Sequence, residues 1–257
     1  MTQQSSTSCY DRFYDQVLNE ISTGKVEQGI NVLVGMLDAI ALQGGALEQA
    51  RTSLQGHLLH QMLLEDPLCA YAKMRPGDSL GLAAIMASKS GDVQIGATGQ
   101  KLFAATRSQP IARALLHRQA SVDRLLSRAI SDGQSVLDCR LSGTDAGGSF
   151  ALICASDLAD RLESPALTEA LAKMRTSLSD RGRIILSSAL PNHLGAGWRS
   201  VCLNWNPNTH DEQGLTLAAA SAGLTARTYR DEADCFVWAE LRPQIDPHSR
   251  GGESHGY

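Results

Sequence analysis

The chain has 257 residues, long enough to bury a sizeable core without disulfides or metal, and its 43% hydrophobic and 19% charged residues exclude a disordered tail or a fibrous repeat. A formal net charge of −4 provides no global positive field for nucleic acid or an anionic membrane, and the longest apolar runs, residues 81–87 and 150–155, fall far short of the roughly 20 residues that cross a bilayer. The opening MTQQSSTS lacks the basic cluster and apolar stretch of a secretory signal, and neither end carries a lipidation motif, so the expectation is a cytoplasmic protein with no nucleic-acid partner and no membrane span.

Up to about residue 130 the hydrophobic spacing is helical. Residues 25–42 place Val26, Ile30, Leu33, Leu37 and Ile40 on one stripe, ended by Gly44 and Gly45. Residues 46–65 carry Leu47, Leu54, Leu58 and Met62 up to the Asp66-Pro67 step, where the residue before proline disfavours helical torsions. These two segments are expected to pack as a helical hairpin. A third stripe, Ile111, Leu115, Val122, Leu125 and Ala129, follows Pro110, and its outer face shows Arg113, Arg118, Arg124 and Arg128, expected to be solvated.

Past residue 135 the pattern changes. Residues 135–141 (SVLDCRL) and 150–155 (FALICA) read as strands flanking a glycine-rich loop at 142–149. A helix over 164–178 (Leu167, Leu171, Met174) breaks at Arg181-Gly182 before a strand at 183–188, and a helix over 212–222 ends at Gly223. Strands at 224–230 and 235–241 surround the polar turn 231–234. The expected fold class is α/β, with a helical N-terminal region (1–131), a mostly parallel sheet with a C-terminal antiparallel hairpin (132–242) and a disordered tail (243–257).

The six cysteines, Cys9, Cys69, Cys139, Cys154, Cys202 and Cys235, form no C-x-x-C pair, so they are expected to be reduced and mostly structural. His57 and His60 stand three apart on a predicted helix, without the H-E-x-x-H spacing of a zinc protease, and read as rim histidines bonded to neighbours; no metal is expected. Asp231-Glu232-Ala233-Asp234 has the letters of a helicase motif, but there is no G-x-x-x-x-G-K-[ST] loop to go with it, and Gly195-Ala196-Gly197 reads as a flexible loop. There is no G-x-S-x-G elbow.

SFALICASDLADRL followed by ALAKMRTSLSDRGRIILSS resembles the fourth strand, helix and fifth strand of class I S-adenosylmethionine-dependent methyltransferases. The order of segments is similar to that of the methyltransferases for biosynthesis of the extracellular signal 3-hydroxypalmitic acid methyl ester, which carry a helical region ahead of the catalytic domain. His57-Leu58-Leu59 through Glu65-Asp66-Pro67 resembles that family's H-P-L…L-L…D-P segment, and Lys73-Met74-Arg75 resembles the start of its K-P-R-G-Y-A-G-D signature. The helix over 111–130 and Trp205 match in position. The rest of the signature is cut to Pro76-Gly77-Asp78.

The resemblance implies a Rossmann-like sheet and an S-adenosylmethionine site, yet the first-strand segment leads through residues 142–149 straight into the fourth-strand segment. A parallel crossover takes about a dozen residues, so the second and third strands have no room and the cofactor-binding half is degenerate and shortened. A loop of that length is expected to join antiparallel neighbours or to lead across the sheet edge.

Three readings follow. One is a pseudoenzyme with no cofactor, acting as a scaffold for a homodimer, a heteromeric partner or a small hydrophobic ligand, since loss of strands exposes an edge beside SVLDCRL. Another is an active methyltransferase on a fatty-acyl or other small substrate, with a rebuilt S-adenosylmethionine site at Gly143, Asp145, Gly147 and Asp157, near Ser188. The last is a repurposed enzyme using His57 or His60 as acid or base. If the resemblance extends to function, His57, Lys73, Arg75 and Asp78 line a substrate cavity between the helical region and the sheet, with His57, His60, Arg75 and Asp78 as the catalytic candidates.

Overall fold

The computed structural model describes residues 9–44, 46–88, 95–142 and 147–244. The first helices are α1 (Cys9–Ser22), α2 (Val26–Leu42), α3 (Leu47–Gly56), α4 (Leu58–Leu63), α5 (Pro67–Met74), α6 (Ser79–Ala87), α7 (Ala97–Arg107) and α8 (Pro110–Ser131). There follow β1 (Val136–Asp138), α9 (Cys139–Ser142), β2 (Phe150–Ala155), α10 (Leu158–Arg161), α11 (Ser164–Thr176) and β3 (Leu178–Ala189). The chain closes with α12 (Ala196–Val201), α13 (Glu212–Ser221), β4 (Leu224–Arg230) and β5 (Phe236–Pro243). Two compact units result: residues up to 120 with 191–207 and 232–235, and residues 121–190 with 208–231 and those from 236 onward. The segment 243–257 expected to be disordered lies, past residue 244, outside the described residues.

In the first unit the α2 stripe is buried as its spacing predicts, with Ile30, Leu33 and Leu37 fully enclosed. Its main neighbours are α1, α7 and α12, and its contact with α3 is slight, so the expected α2–α3 hairpin is replaced. The reason is local. Residues 46–65 are not one helix: the backbone at His57 is extended (φ −97°, ψ 149°), and α4 starts anew there with the His57 ring as its cap. Gly56, a poor helix former, immediately precedes the break.

The triplet Gly195-Ala196-Gly197, expected as a flexible loop, begins α12. The buried Asp38 carboxylate on α2 accepts hydrogen bonds from the Gly195 and Gly197 N–H groups at 2.6 and 2.9 Å. A Cβ at Gly197 would sit 2.1 Å from the Leu37 carbonyl oxygen, so glycine sets how closely the two helices approach. Arg118, expected on a solvated face, is buried. Its Nη2 donates to Ser79 Oγ at 3.2 Å and its guanidinium lies 5.8 Å from the Trp205 ring centre; Arg113, Arg124 and Arg128 are exposed as expected.

The second unit holds a five-stranded sheet in the order β1-β2-β3-β5-β4. β1, β2 and β3 are mutually parallel, β5 is antiparallel to both its neighbours, and four strands therefore point one way. The fold class read from the sequence is the one observed. Leu167, Leu171 and Met174 of α11 and Leu215 and Ala219 of α13 pack with Ile153, Ile184, Leu186 and Val237 in one buried cluster. Gly223 ends α13 at φ +72°, where a left-handed residue closes the last turn.

Two expectations about this sheet change. The strand read over 135–141 stops at Asp138, whose Oδ1 accepts the Arg140 N–H at 3.0 Å and so starts the helical turn α9. The connection at 139–149 joins parallel neighbours, not antiparallel ones, with Val136 opposite Leu152 and Asp138 opposite Cys154. A strand of three residues is only about 10 Å long, which shortens the return path. Among the described residues no helix is long and apolar enough to cross a membrane.

Candidate functional site

In the first unit, α3, α4, α5 and the segment after α12 enclose a cavity of about 380 Å³. Asp66, the N-cap of α5, folds the chain back from α4 into α5, with Pro67 in the first helical turn. This places Arg51 and Leu54 of α3, His60 and Leu63 of α4 and Cys69 and Lys73 of α5 around one space, closed by Val201, Cys202 and Asn204. Among the described residues no carboxylate lines it. The Arg51 guanidinium is fixed by Nη1 donating to Glu48 (2.9 Å) and Nη2 to the Ser200 carbonyl (2.8 Å), while its Nε is buried with no partner. Burial lowers the His60 pKa and the Lys73 charge lowers it further, so the ring is neutral at pH 7.

Cys69 Sγ donates to Asp66 Oδ2 at 3.6 Å, and Asp66 Oδ1 accepts the Leu68 N–H at 3.0 Å. Burial pushes the Asp66 pKa up to about 6, against the pull of those bonds and of Thr106. Burial also raises the thiol pKa of Cys69, and that of Cys139 and Cys154 to about 11 and about 12. Iodoacetamide at pH 8 should therefore alkylate exposed Cys9 first and leave Cys69, Cys139 and Cys154 unmodified in the folded protein. Peptide mass spectrometry reads this, and rapid labelling of Cys69 would contradict its raised thiol pKa.

Of the predicted catalytic group, His60 lines the cavity, as does Lys73. His57 does not. Its Nδ1 accepts the Leu59 N–H at 3.1 Å, its Nε2 lies 3.1 Å from Asp15 Oδ1, and its ring rests against Tyr14. Arg75 is the exposed C-cap of α5. Asp78 caps α6 by accepting the Gly81 N–H at 2.8 Å and accepts a hydrogen bond from the Tyr71 hydroxyl as well. The cavity is built by the first unit's own elements, whereas the expected one lay between the helical region and the sheet. Arg51 was missed, although a signal exists: it falls four residues after Leu47 and three before Leu54, on the apolar stripe.

In the second unit the carboxyl ends of β1 and β2 are where a parallel sheet of this class holds a ligand. Asp138 ends β1 and accepts from Arg140 Nε at 2.9 Å and Nη2 at 2.7 Å, and Arg140 also reaches Asp123 at 3.1 Å. Burial lowers the Arg140 pKa, but the two carboxylates outweigh it and hold the guanidinium charged. Asp157 follows β2, buried, with Oδ2 3.3 Å from Arg161 Nε and Oδ1 without a hydrogen-bond partner. Ser188 is buried and accepts the His210 N–H at 3.0 Å. Gly147 is exposed, and Gly143 and Asp145 lie outside the described residues. Among the described residues, the acid at the end of β1 is engaged by the Arg140 guanidinium.

No protein-family model matches the chain, and no curated protein matches it. Similar solved structures include magnesium protoporphyrin IX methyltransferase from Synechocystis PCC 6803 with bound S-adenosylhomocysteine, 13% identical over 50% of this chain and 84% of that one, with a TM-score of 0.38. Another is an O-methyltransferase from neocarzinostatin biosynthesis in complex with S-adenosyl-L-homocysteine and 1,4-dihydroxy-2-naphthoic acid, 16% identical over 48% of this chain and 39% of that one, with a TM-score of 0.32. The chain is also similar to a possible exported protein from Bordetella parapertussis, 13% identical over 95% of this chain and 100% of that one; the TM-score of 0.58 is a likeness of fold.

Proposed function

We propose that the chain is a methyltransferase-like pseudoenzyme, a sheet of the S-adenosylmethionine-dependent class that has lost canonical cofactor binding and serves to bind a ligand or a partner. The observation that carries this reading is the start of the sheet. The segments resembling the family's first, fourth and fifth strands lie side by side as β1, β2 and β3, and residues 139–149 lead directly from β1 to β2. The strands that would build the nucleotide-binding half have no place between them. Arg140 engages the Asp138 carboxylate where a cofactor would approach. Among the described residues β1 has β2 as its one neighbour in the sheet, which leaves an edge for a second copy of this chain or another protein.

Calorimetric titration with S-adenosylmethionine and S-adenosylhomocysteine tests it. The expected result is no binding heat up to about 1 mM, a ceiling of about −4 kcal/mol in affinity. Micromolar binding would overturn the proposal. A second reading, a rebuilt cofactor site in an active methyltransferase, is favoured by the unpartnered Asp157 Oδ1 at the end of β2. In that case Asp157→Asn abolishes the binding heat, and Gly143, Asp145 and Gly147 belong to the same site.

A further inference from the structure

The cavity enclosed by α3, α4 and α5 brings three nitrogen-bearing side chains, Arg51, His60 and Lys73, to one space. Lys73 has no ion pair and the His60 ring no hydrogen bond among the described residues, and Arg51 Nε is buried without a partner. A buried donor is normally satisfied, so Arg51 Nε stands out, and the exposed Lys73 ammonium on the same cavity adds the positive charge that an acceptor entering from outside would meet. The Arg51 fork is already held in place by Glu48 and Ser200, so no ordering of that long side chain is needed at the moment of binding. Leu54, Leu63 and Val201 supply apolar wall.

From this lining we infer that the cavity is a binding site for a small organic oxyanion, a carboxylate or phosphate head on a compact apolar body. One guanidinium, one ammonium and, among the described residues, no lining carboxylate disfavour a cation. At about 380 Å³ the space lies near the lower end of the roughly 300–1,000 Å³ typical of small-molecule sites, which suits a ring-sized body. Burial is the larger cause of the lowered His60 pKa, and the Lys73 charge adds to it. The inference names the ligand class for the ligand-binding part of the proposed function. Its failure would leave the S-adenosylmethionine titration, read separately, unaffected.

The test titrates the full chain with three probes of one shape: benzoate, phenyl phosphate and neutral benzyl alcohol. The anions should bind about tenfold or more tightly than the alcohol. Lys73 is exposed, so Lys73→Gln leaves the fold intact; it should weaken anion binding about tenfold and leave benzyl alcohol unchanged, with Lys73→Arg restoring the anion. Tighter binding of phenyl phosphate than of benzoate assigns a phosphorylated ligand, and the reverse order a carboxylate. Equal affinity for all three probes, no binding by either anion, or no response to Lys73→Gln would overturn the inference.

Discussion

Replacing Asp38 by alanine should lower the unfolding free energy by about 3–4 kcal/mol at pH 7, seen as a lower urea midpoint with unchanged slope. The Asp38 carboxylate is buried and accepts the Gly195 and Gly197 N–H groups at the start of α12. Bonds of this kind to a charged group contribute about 1.5–3 kcal/mol each, and without the carboxylate both amides stay buried with nothing to accept them. Asp38→Asn keeps a single acceptor oxygen and should fall between wild type and alanine. Gly197→Ala attacks the same junction from the other side, by driving a methyl group into the Leu37 carbonyl. Because both changes open one contact, the double variant should lose less than the sum of the two. A loss below about 1 kcal/mol for Asp38→Ala would mean that this clasp does not hold α12 in solution.

The division into a helical half and an alternating half was legible because each half buries one face of its elements, and burial imposes a period of 3.6 or 2 on the sequence. Gly44 and Gly223 at φ +63° and +72° marked helix ends for the same local reason. Breaks within a periodic run were harder to see. The stripe Leu54, Leu58, Met62 suggested one continuous helix, but Leu58 is 65% exposed and the buried positions are Leu54, Leu59 and Leu63. That five-residue step between Leu54 and Leu59 is a phase slip, the trace of the extended residue His57.

The polar residues that carry the family resemblance were legible as residues but not as positions. His57, Asp66 and Asp78 each cap a helix N-terminus, and Arg75 ends one, so local helix chemistry accounts for where these side chains lie. The cavity was illegible as a whole, since Arg51 and Cys202 meet only through tertiary packing. Asp38 left a clue in its spacing, four residues after Val34 and eight after Ile30 on a buried face, where a carboxylate needs partners.

Raising the pH from 4 to 8 should remove about 2.4 kcal/mol of stability through Asp66 alone. Its pKa is about 6 in the folded protein and 3.8 in the unfolded chain, so the folded state holds the proton more tightly. For a raised pKa the contribution is complete below 3.8 and is lost as the pH climbs through about 6, at about 1.4 kcal/mol per unit of difference. The protonated Asp66 is a neutral donor, free of the charge that burial penalises. An asparagine reproduces that neutral donor and, as a helix N-cap, can still accept the Leu68 N–H. Asp66→Asn should therefore match wild type near pH 4 and exceed it by up to about 2.4 kcal/mol at pH 8, measured by urea unfolding across the range. His60 and His193, whose pKa values are lowered by burial, act in the opposite sense and weaken the fold as the pH falls. Both are present in the two proteins, so their contributions cancel in the difference between the curves, which isolates Asp66. Parallel curves would show that Asp66 has an ordinary carboxylate pKa and that water reaches it behind Cys69.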